Sequence, residues 1–368
     1  MAAPMPRNAA TVVVVRDASG SRGIEVLLLR RAESADHNSG AWVFPGGIVD
    51  PRDHESSEME LELSDAEASE RLGLERDGLS FYLAGIRECF EEAGILLAVD
   101  AEGAYTSLEV VFGWPVSALR RDLHIGRINL ASLCRQYSLR LVPERMHYIA
   151  HWLTPIGRAK RYDTRFFVAI SPYQQSAMHD ATETTDHVWI SPSDALLPSN
   201  VRHLMVPTRA VLELIRPFPD TAALSRWASE PRMVQRIQPR LALGTRGLES
   251  IPPGHPAYEE IGKLDPEGRC DAWCELRQGV TQISPHILRV TDSEGRHTYR
   301  VGSDQDGWEE VTPSRVRLVE QDRVVIAPNL ESVSVDSLGA VDWLAGPDAF
   351  MQATRNFPSS GTSGTTTD

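Results

Sequence analysis

Three glutamates, Glu88, Glu91 and Glu92, fall within five residues of one apolar run, GIRECFEEAGILLAV (85–99). On a helix, positions three and four apart share a face, so this spacing gathers three carboxylates into one patch. Like charges that close repel strongly unless a cation cancels them. Oxygen-only ligand sets suit hard divalent ions such as Mg²⁺, and an ion held there could take a phosphate on its open side. The competing explanation is a solvated acidic face. Against it stand the apolar flanks LSFYLAGI and ILLAV, which embed the helix, and the Pro45-Gly46-Gly47 step that precedes it.

The elements that must position this patch are legible as a pattern. TVVVVRD (11–17) is a continuous β-branched run, as expected of a strand buried on both faces. GIEVLLLRR (23–31) is a second strand, and AWVFPGG (41–47) a short third one halted by Pro-Gly-Gly. LSFYLAGIRECFEEAG (79–94) reads as a helix capped by Ser80 and stopped by Gly94. Residues 104–140 read as partly helical. ERMHYIAHWLTP and RYDTRFFVAI are strand-like and flank a basic link, IGRAKR (156–161). On a strand His147 and His151 lie about 13 Å apart, too far to share a metal, so both read as structural. DHVWIS (186–191) is a further strand, followed by helical signals at PSDALL, PTRAVLELIRPF and DTAALSRWAS.

The full chain has 368 residues, with 51 acidic against 37 basic side chains and a net charge of −14. That balance disfavours nucleic acid as a partner. No apolar run reaches the ~18–20 residues a membrane helix requires, and four cysteines form no disulfide framework. Cys270 and Cys274 read as ordinary cysteines rather than half of a zinc site. The expectation is a soluble cytoplasmic protein. Residues 54–78 hold nine acids and two arginines, a local charge of −7, as expected of a solvated helix or a mobile insertion. Past about residue 235 helical signals thin out. The expected organisation is a domain over 8–232, a β-rich accessory region over 236–347 and a disordered Ser/Thr/Gly tail over 356–368.

The residues Arg87, Glu88, Cys89, Phe90, Glu91, Glu92, Ala93, Gly94 and Ile95 read R-E-U-x-E-E-x-G-U, which resembles the second half of the Nudix box. WVFPGG (42–47) resembles the lead-in to its first half. In the pattern G-x5-E-x7-R-E-U-x-E-E-x-G-U, counting from Gly47 puts the first acid at Asp53, where the family has Glu. From Asp53 to Arg87 is 34 positions instead of 8, so 26 residues are inserted, and they coincide with the acidic stretch. A box split in this way resembles the Nudix-19-type coenzyme A diphosphatases. HWLTPIGRAKRYDTRFF (151–167) and ETTDHVWISPSDA (183–195) resemble further segments of that subfamily, with Tyr162 where it has Phe.

The resemblance implies an α/β fold, the Nudix α/β/α sandwich with a mixed sheet, followed here by a small β-rich C-terminal region. It implies Glu88, Glu91 and Glu92 as ligands of Mg²⁺ or Mn²⁺, Arg87 as the side chain that orients a carboxylate, and Gly46 and Gly47 as backbone close to the substrate. Either Glu88 or Glu183 would be the general base. Arg161, Asp163 and Arg165, with Arg31 at the end of its strand, would contact a 3′-phosphorylated ADP moiety. The implied reaction is hydrolysis of a diphosphate linkage, in coenzyme A or acyl-CoA, to 3′,5′-ADP and a phosphopantetheine product. ADP-ribose, NADH or nucleotide-sugar hydrolysis is the other enzymatic reading. A Nudix-fold nucleotide sensor is the non-enzymatic one, against which the intact three glutamates argue. The C-terminal region reads as an accessory or dimerisation module, the latter making the chain a homodimer.

Overall fold

The computed structural model describes residues 4–343 except 21–22, 33–38, 56–58, 114–115 and several short stretches between 245 and 341. The expected tail, and Cys270 and Cys274, lie outside the described residues. The chain divides into two units. One comprises residues 5–153 and 162–236; the other comprises 1–4, 154–161 and 237–368.

The first unit runs β1 (Arg7–Asp17), β2 (Ile24–Arg31), β3 (Trp42–Val43), β4 (Gly46–Ile48), α1 (Asp65–Leu72), α2 (Gly78–Ala93), β5 (Ala98–Val99), α3 (Leu108–Phe112), α4 (Val116–His124), α5 (Leu130–Tyr137), β6 (Arg140–Leu141), β7 (His147–Leu153), β8 (Tyr162–Ile170), β9 (Thr184–Ile190), α6 (Pro192–Leu196), α7 (Val206–Ile215) and α8 (Thr221–Ser229). The valine run lies in the middle of a mixed sheet. β1 pairs in parallel with the whole of β8, from Arg7↔Tyr162 to Val15↔Ile170. Its C-terminal end pairs antiparallel with β2 and its N-terminal end antiparallel with β4. β2 in turn lies between β3 and β9, because Leu29 pairs with both Val43 and His187. Val12 to Val15 are buried on both faces.

One face of the sheet packs Val12, Val14, Leu27 and Leu29 against Tyr82, Ile86 and Phe90 of α2 in a single apolar cluster. Each such side chain contributes about 1.5–3 kcal/mol by leaving water. The other face is covered by α8. Its start is pinned to the end of β1, since the Thr221 backbone N–H and hydroxyl both donate to the Asp17 carboxylate, at 2.8 and 3.0 Å. The result is the three-layer α/β arrangement expected. No helix among the described residues is long and apolar enough to cross a membrane.

Two local expectations need correcting. Pro-Gly-Gly does not end a strand for good: the chain resumes at Gly46 as β4, hydrogen-bonded to β1. A Cβ on Gly46 would lie 2.5 Å from the Ala10 carbonyl oxygen, so the pairing requires glycine. Ser80 does not cap α2. The helix begins at Gly78, and the Ser80 hydroxyl donates instead to the Asp77 carbonyl oxygen within the first turn. Gly94 does stop the helix, in the left-handed conformation that favours glycine (φ 70°).

The cap of α2 comes from the acidic insertion. Asp65 accepts from the N–H groups of Asp77 and Leu79, at 3.0 and 2.9 Å, and the Ser69 hydroxyl accepts from the N–H of Gly78 at 2.9 Å. These are donors that the first turn of any helix leaves without an internal partner. The insertion therefore contributes α1, whose outer face is solvated as its charge requires and whose Ala68, Ser69 and Leu72 are buried.

In the second unit the described strands are all antiparallel where paired. Arg240–Gly244 pairs with Gly247–Ile251. Gly279–Ser284, Ile287–Thr291, His297–Ser303 and Gly307–Val311 form a four-stranded meander, and Val316–Glu320, Arg323–Ile326 and Asp342–Trp343 form a third sheet.

Candidate active site

Helix α2 buries all sixteen of its residues, its acids included. Glu88, Glu91 and Glu92 are 9%, 6% and 7% exposed, which excludes the solvated-face explanation. Each carboxylate turns to its own donor. Glu88 accepts from Arg87 Nη1 at 2.8 Å, and Glu92 accepts from the Gly46 backbone N–H at 3.0 Å. Glu91 Oε2 lies 3.1 Å from His124 Nδ1. Its other oxygen, Oε1, is buried with no hydrogen-bond partner among the described residues, 3.5 Å from Arg87 Nη1.

Arg87 organises this end of the helix. Its guanidinium makes a two-pronged pair with Asp53, both contacts at 2.9 Å, and a further bond to the Ile48 carbonyl oxygen. Both side chains are almost fully buried, so geometry this good is required to offset their desolvation. Burial alone would make Arg87 easier to deprotonate. The Asp53 hydrogen bond and the charges of Glu88, Asp53 and Glu91 outweigh it and hold the proton on. Asp53 sits in a short 3-10 turn (Pro51–His54) with Asp50 as its cap. The residue that stands where the resemblance expects Glu thus anchors the arginine, and reaches it across the whole insertion.

The carboxylates themselves bear the cost. Burial, against the pull of Arg87, pushes Glu88 up to about 7. Burial also raises Glu91, and burial together with the Glu88 charge raises Glu92 well above the usual carboxylate range. Gly47 stands directly under Glu88, and a Cβ there would lie 2.4–2.8 Å from its carboxylate atoms. Only a residue without a side chain permits that approach.

Three of the other expected residues come to the same place. Gly46 does so through its N–H. Arg31, at the end of β2, pulls Glu92 back toward ionisation, and its Nε is buried without a hydrogen-bond partner. Glu183 precedes β9, and its carbonyl accepts from the Ala32 N–H. Its half-exposed carboxylate raises both Glu88 and Glu92 by repulsion. The loop that presents it is shaped by Asp180, which accepts from the N–H groups of Glu183 and Thr184, at 2.9 and 2.8 Å, and from the hydroxyls of Thr182 and Thr184.

Asp163 and Arg165 lie elsewhere in the same unit. Arg165 is buried, stacked 4.1 Å over Phe81 in the first turn of α2. Phe81 precedes Glu88 by seven residues, or about 10 Å of helix. Asp163 pairs with His151 and lies 3.7 Å from Arg165. Both expected structural histidines fall on β7. Arg161 belongs to the second unit, where its guanidinium donates to the carbonyls of Thr154 and Pro4, both at 3.1 Å.

One residue at the site had no signal in the sequence. His124, half-exposed at the end of α4, sits between Glu91 and Glu183, with Nε2 3.9 Å from the latter. Its position follows from Arg120, one turn earlier. Arg120 is buried and donates twice, at 3.0 and 2.8 Å, to the Glu91 carbonyl, which fastens α4 to the end of α2. A single histidine in RRDLHIGR matches no ligand spacing, so only the packing of α4 reveals it.

The donor set of Glu88, Glu91 and Glu92 is all carboxylate oxygen, and one of those oxygens makes no hydrogen bond among the described residues. That fits a hard divalent cation such as Mg²⁺ or Mn²⁺.

Residues 69–216 match the family model described as NUDT19 Nudix domain, and residues 5–117 the model described as NUDIX domain. Among curated proteins, the acyl-coenzyme A diphosphatase NUDT19 of Gallus gallus is 26% identical over 308 residues, covering 69% of this chain and 80% of that protein. Its Homo sapiens namesake is 23% identical over 278 residues, covering 65% and 74%. Among solved structures, a NUDIX hydrolase from Alicyclobacillus acidocaldarius superposes with a TM-score of 0.50 at 27% identity, covering 60% of this chain and 96% of that one.

Proposed function

The chain belongs to the Nudix hydrolase superfamily, and from that premise we propose that it hydrolyses the diphosphate linkage of coenzyme A or an acyl-CoA. The products would be 3′,5′-ADP and a phosphopantetheine or its acylated form. The observation that carries the reaction is the set of three buried glutamates at one end of α2, with Gly47 packed against the Glu88 carboxylate and Glu91 Oε1 without a hydrogen bond among the described residues. The substrate class rests on the match to the NUDT19 Nudix domain and on relatives named acyl-coenzyme A diphosphatase.

Glu88, Glu91 and Glu92 hold Mg²⁺ or Mn²⁺ in this reading. Such an ion supplies charge neutralisation at the diphosphate. Arg87, gripped by Asp53, fixes Glu88 in place. Gly46 lets β4 approach β1, and Gly47 lets the backbone lie against the Glu88 carboxylate. Arg31, with one N–H unspent, is the phosphate contact. Glu183 is the proton acceptor: it is half-exposed, it faces the cluster, and among the described residues no arginine is paired with it. His124 lies between Glu183 and Glu91 and orients both. Arg161, Asp163 and Arg165, with their described contacts inside the protein, act as framework.

The test is a panel of coenzyme A, acyl-CoAs, ADP-ribose, NADH and nucleotide sugars with Mg²⁺, products identified by mass. Release of 3′,5′-ADP from a CoA species is expected. Turnover confined to the other substrates would sink the CoA assignment. Full activity of Glu91→Gln would sink the cation site.

A further inference from the structure

A second group of ligand atoms lies outside the glutamate cluster. His187 stands on β9 opposite Leu29, and His179 lies in the segment leading from β8 to β9. Their Nδ1 atoms are 3.0 Å apart, with ring centroids at 5.3 Å. Asp186 precedes His187, and its carboxylate already accepts from the His187 backbone N–H at 2.8 Å. One ligand atom from each of His179, Asp186 and His187 lies within 4.8 Å of the other two. Both rings are partly buried and Asp186 is exposed, so the group opens to solvent on one side.

We propose that His179, Asp186 and His187 form a binding site for a divalent first-row transition ion, separate from the carboxylate site on α2. Two imidazoles and one carboxylate favour ions such as Zn²⁺ over Mg²⁺, which takes oxygen ligands. The geometry is close to ready. A tetrahedral ion with Zn–N bonds of about 2.0–2.1 Å places two ligating nitrogens about 3.3 Å apart. The observed separation needs to open by only a few tenths of an ångström. Between two neutral rings, Nδ1 atoms at hydrogen-bond distance hold one proton; when both Nδ1 atoms bind a cation, the ring that carried it changes to its Nε2–H tautomer, losing the proton at Nδ1 and taking one at Nε2, with no net release. Burial and the neighbouring His179 lower the basicity of His187, which helps keep it neutral and able to ligate.

The position gives such an ion a structural effect. His179 and His187 flank Asp180–Thr184, the turn that presents Glu183. An ion held by both would tie the two ends of that turn together. The assignment stands on these three side chains and does not depend on the diphosphatase reading.

The experiment is a calorimetric titration of the full chain with Zn²⁺ in saturating Mg²⁺, repeated in buffers of different ionisation heat. The expected result at neutral pH and above is one Zn²⁺ per chain with little net release of protons, since neutral imidazoles are the ligands. The affinity should fall at least a hundredfold in His187→Ala and about tenfold in Asp186→Asn, and stay unchanged in Glu91→Gln. Because His187→Ala could perturb β9, the unsubstituted protein is also read by nitrogen-15 NMR of its imidazoles. Zn²⁺ should shift two Nδ1 resonances, and His179→Ala should remove both shifts. Absence of Zn²⁺ binding in Mg²⁺, binding undiminished in His187→Ala, or Zn²⁺ that leaves every Nδ1 resonance in place would overturn the proposal.

Discussion

The two ends of helix α2 are built on opposite principles. At the N-terminal end every exposed backbone donor that α1 reaches has an acceptor: Asp65 takes the N–H groups of Asp77 and Leu79, and Ser69 takes that of Gly78. A helix terminus attracts negative charge there, so Asp65 is favourable on both counts. At the C-terminal end the helix presents three buried carboxylates where its own dipole disfavours them, and one oxygen is left without a hydrogen bond among the described residues. The first end lowers the free energy of the fold, while the second raises it. The difference teaches where stability and chemistry have been separated along a single 16-residue element, with strain concentrated where a ligand can relieve it.

That contrast can be broken at chosen points. The largest effect is expected from Glu91→Gln: kcat/KM on the best diphosphate substrate should fall about 1000-fold, as when one preorganised charge-stabilising group is removed. Its thermal midpoint should hold or rise, because a buried charge has gone. Asp53→Asn should cross the divide. It strips the partner from buried Arg87, which costs about 3–5 kcal/mol in chemical denaturation, and it frees Glu88 to wander, so activity falls as well. Gly47→Ala should act on chemistry with little effect on folding, since its Cβ displaces the Glu88 carboxylate; steady-state kinetics should show a loss of about a hundredfold. Mg²⁺ at a hundred times its dissociation constant should stabilise the native protein by about 2.7 kcal/mol, seen as a rise in melting temperature that Glu91→Gln abolishes. The smallest effect belongs to the other end. Asp65→Ala should cost about 1 kcal/mol through the lost cap while kcat stays within a factor of a few. A collapse of kcat there would mean the two ends are not separable.

The sequence carried one end of this helix far better than the other. The glutamate end is written in contiguous residues, where spacing alone places Glu88, Glu91 and Glu92 on one patch. The β-branched run at 11–17 and the alternation of apolar strands were legible for the same reason, since local pattern and burial coincide. The capped end was misassigned to Ser80, because the true acceptors lie 9 and 14 residues upstream of the groups they bind, within a segment whose charge suggests only solvent. Nothing in the local sequence gives Asp53 its role, because the arginine it holds lies 34 residues away. His124, and the His179–His187 pair, depend on how α4 and β9 pack, and no spacing rule encodes that. What sequence pattern missed were contacts between distant segments, each made by a polar side chain whose partner is a backbone group or a lone residue.

Cys89 stands between Glu88 and Phe90 and is fully buried, and burial pushes its thiol far above the ordinary range. A thiol in that condition does not react with alkylating reagents while the helix is closed. Its modification rate therefore counts the moments at which α2 opens, much as amide exchange does for a backbone group. With Cys270 and Cys274 replaced by serine, the slow labelling of Cys89 becomes a clock for the helix itself. Cys134, buried on α5, supplies a second clock from a helix that bears none of the three glutamates. A divalent ion at the glutamates should slow the first clock more than the second.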